Sequence, residues 1–243
     1  MEAWLSNSAL LGTLGISEQL LMGNVLDLAK YEKQRTGHRY PAIFQDLYKN
    51  GVLRAHTLGL WPWSAGMYFT RGFTYGGMRM ALDPHLSPVA SSLAAGAAEG
   101  ALSAPWNMAR IRLAEQHRFG PQRGLVDWRT LGRSLPFVMA KRSVDWGTRS
   151  LIHQQLQRLE CEGVAFGVLG FATGVLSTGL TMPLDRLLPV LMQQHPPPLR
   201  QWWRQQRWSS LMAGSGARAM HGGWHTMFIF GGLQWCERRP EPQ

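Results

Sequence analysis

Cysteine is nearly absent from this sequence: only Cys161 and Cys236 occur among 243 residues, far apart and without the spacing of a metal site. Neither a disulfide framework nor a zinc site is therefore indicated. The eight histidines are scattered. His221 and His225, one helical turn apart, are better interpreted as cavity-lining side chains than as metal ligands. Because no nucleophile–base constellation stands out either, we expect no metal, no organic cofactor and no enzymatic activity.

Acidic residues are also few, 15 against 25 lysines and arginines, which gives a net charge of +10. Such an excess of basic residues can indicate a nucleic-acid partner. However, the sequence has no basic run and no recognised RNA- or DNA-binding motif. Its 11 tryptophans and 27 glycines fit helix packing in a membrane better. We therefore expect membrane lipids, and no nucleic acid, among the partners.

Long stretches without charge are scarce, and the longest covers residues 163–184. As a helix it would reach about 33 Å, enough to cross a hydrocarbon layer of about 30 Å. The stretch closes on Pro183, which removes a backbone donor and kinks a helix, and Asp185 follows. An aspartate near the end of a spanning helix needs a partner or water. The stretch alone is equally compatible with a buried helix of a soluble protein that ends at a proline.

Two related segments lie upstream at intervals of about 80 residues, at Val25 to Lys30 and at Pro105 to Arg110. Aligned with Pro183 to Leu188, the three segments read Val-x-Asp-x-x-Lys, Pro-x-Asn-x-x-Arg and Pro-x-Asp-x-x-Leu. This triplet resembles the signature Pro-x-(Asp/Glu)-x-x-(Lys/Arg) of the mitochondrial carrier family. That family is built from three tandem repeats, each a pair of transmembrane helices.

The resemblance implies an all-α membrane protein in the mitochondrial inner membrane, with one carrier-like domain over residues 1–243. Its three repeats would cover about 1–84, 85–160 and 161–240. The mean hydropathy is slightly negative, low for a multi-pass protein. Carrier helices enclose a polar cavity and are amphipathic, which accounts for that value. The six expected spans are residues 8–29, 58–82, 87–109, 132–155, 163–187 and 210–235.

Small residues and connectors fit this plan. Glycines at Gly12, Gly15, Gly96, Gly100, Gly170 and Gly174 would let neighbouring helices approach closely. Residues 41–50 show helical spacing of apolar side chains and predict a short surface helix within the first repeat. In the third repeat, residues 202–208 interleave tryptophan with arginine. This pattern suits the headgroup layer, although it could also stack on single-stranded nucleic acid.

Basic residues predict the orientation independently. Sixteen of the 25 lysines and arginines fall in or beside the connectors within repeats, and five fall on the opposite side. The positive-inside rule then places the connectors in the matrix and both termini in the intermembrane space. Carriers have this topology.

In carriers the acid of one odd-numbered helix pairs with the base of the next, and three such pairs close the matrix gate. By motif position, the resemblance pairs Asp27 with Arg110 and Asp185 with Lys30. The third pair, Asn107 with Leu188, cannot be ionic. Carriers also have a second gate, formed by the motif (Phe/Tyr)-(Asp/Glu)-x-x-(Lys/Arg) near the ends of their even-numbered helices. Here the corresponding segments are incomplete: residues 75–79 lack the acid, residues 144–148 lack the aromatic residue and the base, and residues 228–232 are uncharged.

Four basic residues fall midway along even-numbered helices, about where carriers contact substrate: Arg71, Lys141, Arg142 and Arg218. Charges at such depth are costly and suggest a functional site. They could hold an anionic solute. Alternatively they are retained ancestry, neutralised by Glu18, Glu99 and Asp145 in a cavity that transports nothing.

The incomplete gates favour a transport-inactive protein that serves as an accessory subunit of a larger inner-membrane complex, such as a respiratory or ATP synthase assembly. The alternative is a working exchanger of small anions, favoured by the mid-membrane cations. In both cases a bound phospholipid such as cardiolipin is compatible with the basic connectors.

Overall fold

The computed structural model describes residues 10, 12–49, 51–57, 65–119, 126–158, 163–191 and 198–237. This part of the chain is mostly helical and contains no strand. The predicted all-α class is therefore confirmed.

Six long helices follow one another along the described chain. Helix α1 combines residues 12–18, a π-helical turn at Gln19–Gly23 and a regular stretch at Asn24–Thr36. The other five are α4 (Ala65–Leu82), α5 (Pro88–Phe119), α6 (Trp128–Arg158), α7 (Gly163–Leu191) and α10 (Ser215–Glu237). Four short helices lie between them: α2 (Tyr40–Tyr48), α3 (Val52–Thr57), α8 (Leu199–Gln205) and α9 (Trp208–Leu211). The surface helix predicted at 41–50 is α2.

Several long helices continue past their predicted ends. The sequence placed the end of the third span at 109, but α5 continues to Phe119, and α1 continues to Thr36 rather than 29. Pro105 and Pro183 lie inside α5 and α7 and do not end them. A proline removes one hydrogen bond of the helical ladder, and the turns on either side keep the backbone helical. Helix α1 instead ends at Gly37, whose φ of 71° suits a residue without a side chain.

The long helices pack in the order of the chain. Helix α4 packs on α5, α5 on α6, α6 on α7 and α7 on α10. Helix α10, the last long helix, also packs on α1, the first. The short helices α2 and α3 pack back on α1. This arrangement turns one face of each helix towards a shared interior.

Glycines bring neighbouring backbones together at two of these contacts. A Cβ atom at Gly174 on α7 would collide with the carbonyl oxygen of Gly222 on α10. A Cβ atom at Gly96 on α5 would lie 2.6 Å from the carbonyl oxygen of Arg142 on α6. The predicted role of Gly96 and Gly174 in close helix packing is confirmed.

Substitution of Gly174 by alanine is expected to lower the free energy of unfolding by about 1–3 kcal/mol, because the obstacle is backbone that cannot rotate away. Gly179, on the same helix, has open space around its Cβ position. Gly179→Ala is therefore the matched control, and it should be neutral or slightly stabilising. Tryptophan-fluorescence melting of the two purified variants measures the difference, and equal melting temperatures would contradict the close contact.

Beside its buried apolar clusters, the described part of the chain buries many polar and charged side chains and exposes many large apolar ones. We call this combination the inverted burial. The interior contains charged and polar side chains, among them Glu18 and Glu99, both 0% exposed. Large apolar side chains face outward, including Leu176 on α7 at 61% exposed and Leu102 on α5 at 58%. By length and composition, Gly167–Leu188 is the one stretch of the described chain long and apolar enough to cross a membrane. The core helix of a soluble protein can pass the same test.

Candidate functional site

Helix α6 contributes four charged side chains to the interior, at positions 141, 142, 145 and 149. Residues three and four apart share a helix face, so these side chains are presented together. Single charged residues of the surrounding helices meet them: Glu99 from α5, Asp185 from α7 and Arg218 from α10. We call this set, together with Glu18, Asp27, Lys30 and His221, the buried charge network.

Asp185 is the centre of the network on α7. Its carboxylate accepts a hydrogen bond from Arg218 Nε at 2.7 Å and forms an ion pair with Lys141 Nζ. All three side chains are less than 10% exposed. The aspartate that the sequence singled out after Pro183 thus joins α7 to α6 and α10. The pairing of Asp185 with Lys30, implied by the resemblance, is not observed within salt-bridge distance.

Asp145 is a second carboxylate centre, on α6. Arg149, one turn along, lies 3.3 Å from it, Arg218 reaches it from α10 at 3.7 Å, and Arg142 lies 3.9 Å away. Arg142 also contacts Glu99 on α5 at 3.7 Å. Because Arg218 contacts both Asp185 and Asp145, it connects the two carboxylate centres across three helices.

The network continues onto α1 through His221. Arg218 lies 3.4 Å from His221 Nδ1, and the same nitrogen lies 3.2 Å from Asp27 Oδ1. Asp27 in turn pairs with Lys30 on its own helix at 3.1 Å. Five of the six long helices therefore contribute to one set of contacts.

The described network is neutral overall. Its five basic side chains, Lys30, Lys141, Arg142, Arg149 and Arg218, match five carboxylates, Glu18, Asp27, Glu99, Asp145 and Asp185. Burial of unmatched charge in a medium of low dielectric constant is prohibitive, whereas matched pairs with good geometry are tolerated. Neutrality also means that these residues present no surplus positive charge to an anion.

The remaining residues that the sequence singled out do not join the described charge network. Leu188 packs in an apolar cluster with Ala104, Met108, Leu131 and Val138, so α5, α6 and α7 meet there without charge. Asn107 is partly buried on α5. Arg71 and Arg110 have side chains outside the described residues, and the predicted pair of Asp27 with Arg110 is therefore not described.

The segments expected to form the second gate contact other groups. Arg79 on α4 donates hydrogen bonds to Asp83 at 2.9 Å and to Ser92 at 2.6 Å. The Tyr75 ring stacks on Trp146 with centroids 3.9 Å apart. Burial raises the pKa of Asp83, but hydrogen bonds from Arg79 and Ser91 outweigh it and hold that pKa below its ordinary value. Of the third segment, the side chains after Phe228 lie outside the described residues.

A further carboxylate, Asp127, lies immediately before the first residue of α6, in the segment that connects α5 with α6. It accepts hydrogen bonds from the Thr130 hydroxyl and from the Arg129 backbone N–H. The Thr130 bond holds the pKa of Asp127 below its ordinary value. Arg112 from α5 lies 3.8 Å away, so this helix start is joined to the neighbouring helix.

The proposed neutralising acids can be compared with their observed partners. Glu99 and Asp145 do contact mid-helix cations, as the alternative interpretation expected. Glu18 instead contacts His221 and His225. Sequence reasoning missed Arg149 as a network member, although its position four residues after Asp145 on one helix was a usable signal. Gln19, which follows Glu18, was also missed.

Comparison with known proteins adds no assignment. No protein-family model matches this chain, and no curated protein matches it. The functional conclusion therefore depends on the sequence pattern and on the geometry described above.

Proposed function

We propose that this chain is a multi-pass inner-membrane protein built on the mitochondrial carrier plan, and that it is a transport-inactive structural subunit of a larger membrane complex. The observation that carries the proposal is the inverted burial around a neutral charge network.

Helix α7 illustrates the argument for insertion. Its inward face is polar, with Thr173, Ser177, Thr181 and Asp185 at intervals of four residues, all at most 4% exposed. Its outward face presents Val168, Leu176 and Leu180, each at least 60% exposed. A helix in water would bury the second face and expose the first. Lipid around the bundle and polar groups within it satisfy both faces.

The same inversion explains why most long helices fail a hydropathy test. A helix that lines a charged interior carries acids and bases on one side, which lowers its average hydropathy. Its apolar side is sufficient to face lipid. The six-span arrangement is thus compatible with the single stretch, Gly167–Leu188, that passes by composition.

The carrier plan is supported by helix order and by motif placement. Helices that follow in the chain pack together, and the last long helix returns to the first. Asp27 and Asp185, the acids of the first and third motifs, both lie buried on odd-numbered long helices. The connectors between paired helices contain short helices in the first and third repeats, α2 and α3 in one and α8 and α9 in the other.

Orientation and lipid contact are supported by tryptophans near the connectors. Trp128 at the start of α6, Trp203 on α8 and Trp208 on α9 are all more than half exposed. Such rings favour the headgroup layer, where neighbouring arginines can meet lipid phosphates. We propose that this side faces the matrix and an anionic phospholipid such as cardiolipin, with both termini in the intermembrane space.

Inactivity is supported by the pairing of the charges. Alternating access requires contacts that open in one state and close in another. Here Lys141, Arg142 and Arg218 each contact a buried carboxylate, and Leu188 meets an apolar cluster where a carrier would have an ionic pair. A bundle whose described buried charges are paired with one another is suited to a rigid role in a complex.

The alternative function, exchange of small anions, retains one supporting observation. Lys141, Arg142 and Arg218 do converge in the interior, as a substrate site would require. In that case an incoming anion would have to displace Asp185 or Asp145 from these cations.

A direct experiment separates the two functions. The chain is purified in mild detergent and reconstituted in liposomes loaded with phosphate, nucleotide or dicarboxylate, and uptake of the labelled anion is followed. We expect uptake equal to that of protein-free liposomes, together with migration in a large complex on native gels of solubilised membranes. Saturable exchange by the purified chain, with a lone species of about 27 kDa on the gel, would contradict the structural role.

A further inference from the structure

Arg186, the residue after Asp185, joins α7 to α1 near the end of the bundle at which the short helices lie, which we call the connector end. Its guanidinium donates a hydrogen bond from Nη1 to the backbone carbonyl oxygen of Gln34 at 2.5 Å. The resemblance to carriers implied that Asp185 and Lys30 would join the same two helices. Asp185 is instead bound to α6 and α10, and Arg186 has no carboxylate within salt-bridge distance among the residues that the structure describes. A contact between a cation and a carbonyl thus lies beside the position of the expected ion pair.

The carbonyl of Gln34 can accept this bond because it lies in the last turn of α1. Helix α1 ends at Thr36, and the carbonyl groups of a last helical turn lack amide partners within the helix. The amide of His38, four residues after Gln34, donates to the Thr36 hydroxyl at 3.2 Å. Arg186 supplies the missing donor from α7, and the helix dipole also favours a positive charge at the C-terminal end of α1.

The turn before α10 holds the end of α1 from another side. A Cβ atom at Gly214 would lie 3.1 Å from the Lys30 carbonyl oxygen and 3.2 Å from Gln34 Cγ. The φ angle of Gly214 is 87°, which also favours a residue without a side chain. Gln34 is 7% exposed in this position. The end of α1 is therefore enclosed between Arg186 and this turn.

Apolar contacts hold the same end of α7 against its other neighbours. Leu188, two residues after Arg186, packs with Ala104 and Met108 of α5 and with residues of α6. A second cluster joins α7 to α8 and α9 through Leu187, Leu191, Trp202 and Leu211. Separation of the helices at the connector end would therefore break the bond of Arg186 and expose apolar surface to water.

We propose that the hydrogen bond from Arg186 to the Gln34 carbonyl is a latch that closes the interior of the bundle at the connector end. The inference rests on the carrier plan of the proposed function and adds the contact that replaces an ionic gate. Along α1 and α7, which both run towards their connectors, the latch lies beyond Lys30 and Asp185, and those two side chains are at most 4% exposed. Because a backbone carbonyl does not titrate and arginine keeps its proton, no change of protonation near neutral pH opens this latch.

The test measures whether the latch keeps a hydrophilic reagent out of the interior. Two reporter substitutions, Thr181→Cys and Thr173→Cys, are made separately on the inward face of α7, in a chain with Cys161→Ser and Cys236→Ser. The two threonines are 0% and 1% exposed, and Thr173 lies about two turns further from the latch than Thr181. Labelling by a charged maleimide in mild detergent is timed for each folded chain relative to the same chain unfolded. With the latch intact, both cysteines should react slowly.

Arg186→Met removes the donor and keeps most of the side-chain volume. Because the lost hydrogen bond involves a charged group, we expect the labelling rate of Thr181→Cys to rise by about 10-fold or more, while that of Thr173→Cys stays nearly unchanged. Arg186→Lys, which can still donate to the carbonyl, should restore slow labelling. Arg204→Met, at an exposed arginine of α8, is the matched control and should change neither rate.

An unchanged labelling rate of Thr181→Cys in Arg186→Met would overturn the proposal, and so would an equal rise at both reporters, which would show a general opening of the bundle. If Arg186→Met does not fold, the labelling of Thr181→Cys with Arg186 in place decides, since rapid labelling overturns the latch and slow labelling supports it. These outcomes are distinct from those of the uptake experiment. Rapid labelling without anion uptake would exclude the latch alone, whereas saturable uptake with slow labelling would contradict the structural role alone.

Discussion

Asp185→Asn is expected to lower the free energy of unfolding by about 3–5 kcal/mol, because it leaves buried cations without their carboxylate. Among the described residues, Lys141 loses the carboxylate that pairs with it, and Arg218 keeps its ion pair with Asp145. Domains commonly have about 5–15 kcal/mol in total, so the yield of folded protein should also fall sharply. The measurement is tryptophan-fluorescence melting in mild detergent, with a fall of roughly 10 °C or more expected.

Two further variants make this result specific. Asp46→Asn makes the same chemical change at an exposed position and should stay within about 0.5 kcal/mol of the wild type. Adding Lys141→Met to Asp185→Asn restores neutrality in the network, so the double variant should be more stable than Asp185→Asn alone. If Asp185→Asn melts like Asp46→Asn, the network does not stabilise the bundle.

The positions of the ion pairs bear on whether the bundle changes conformation or holds a single state. A gate on the carrier plan would join odd-numbered long helices at the motif positions, as Asp185 with Lys30 would do. Instead Asp185 binds α6 and α10, which flank α7 in the bundle. Arg218 connects this site with Asp145, so that movement of one helix would break contacts with several others. The geometry therefore favours a bundle that holds one state.

The helical class and the close glycine contacts were predictable because they depend on local pattern. Small residues at Gly96 and Gly174 identify helix faces that neighbours can approach, whatever the neighbour is. The short helix α2 was predictable from the helical spacing of its apolar side chains. Asp185 could be singled out because an acid after a proline near the end of an apolar stretch needs a partner.

The partners themselves could not be predicted from spacing. Whether Asp185 meets Lys30 or Lys141 depends on the rotation of each helix about its axis, which three-dimensional packing sets. The continuation of α5 to Phe119 was missed because the predicted end at 109 marked the limit of a membrane span, whereas tertiary contacts can stabilise a helix beyond that limit. The π-turn at Gln19–Gly23, next to the buried Glu18, has no matching signal in the sequence.

Leu176→Asp provides the sharpest test of membrane insertion. Leu176 lies near the middle of α7 and is 61% exposed, opposite the polar face of that helix. If this surface faces lipid, an aspartate there should cost about 2.5–3.5 kcal/mol, a change of roughly 100-fold in the inserted population. If it faces water, a surface substitution should stay within about 0.5 kcal/mol. The expected free-energy cost of the aspartate is thus at least about five times larger in lipid than in water.

Leu53→Asp is the matched control, because Leu53 is 78% exposed but lies on the connector helix α3. The measurement is the fraction of each variant that resists alkaline extraction from membranes, together with its accumulation in cells. We expect Leu176→Asp to be extracted or degraded and Leu53→Asp to behave as the wild type. Equal behaviour of the two variants would mean that the apolar surface of α7 is not in lipid. The exposed apolar side chains of α7 would then need another partner to cover them, such as a protein surface along the length of the helix.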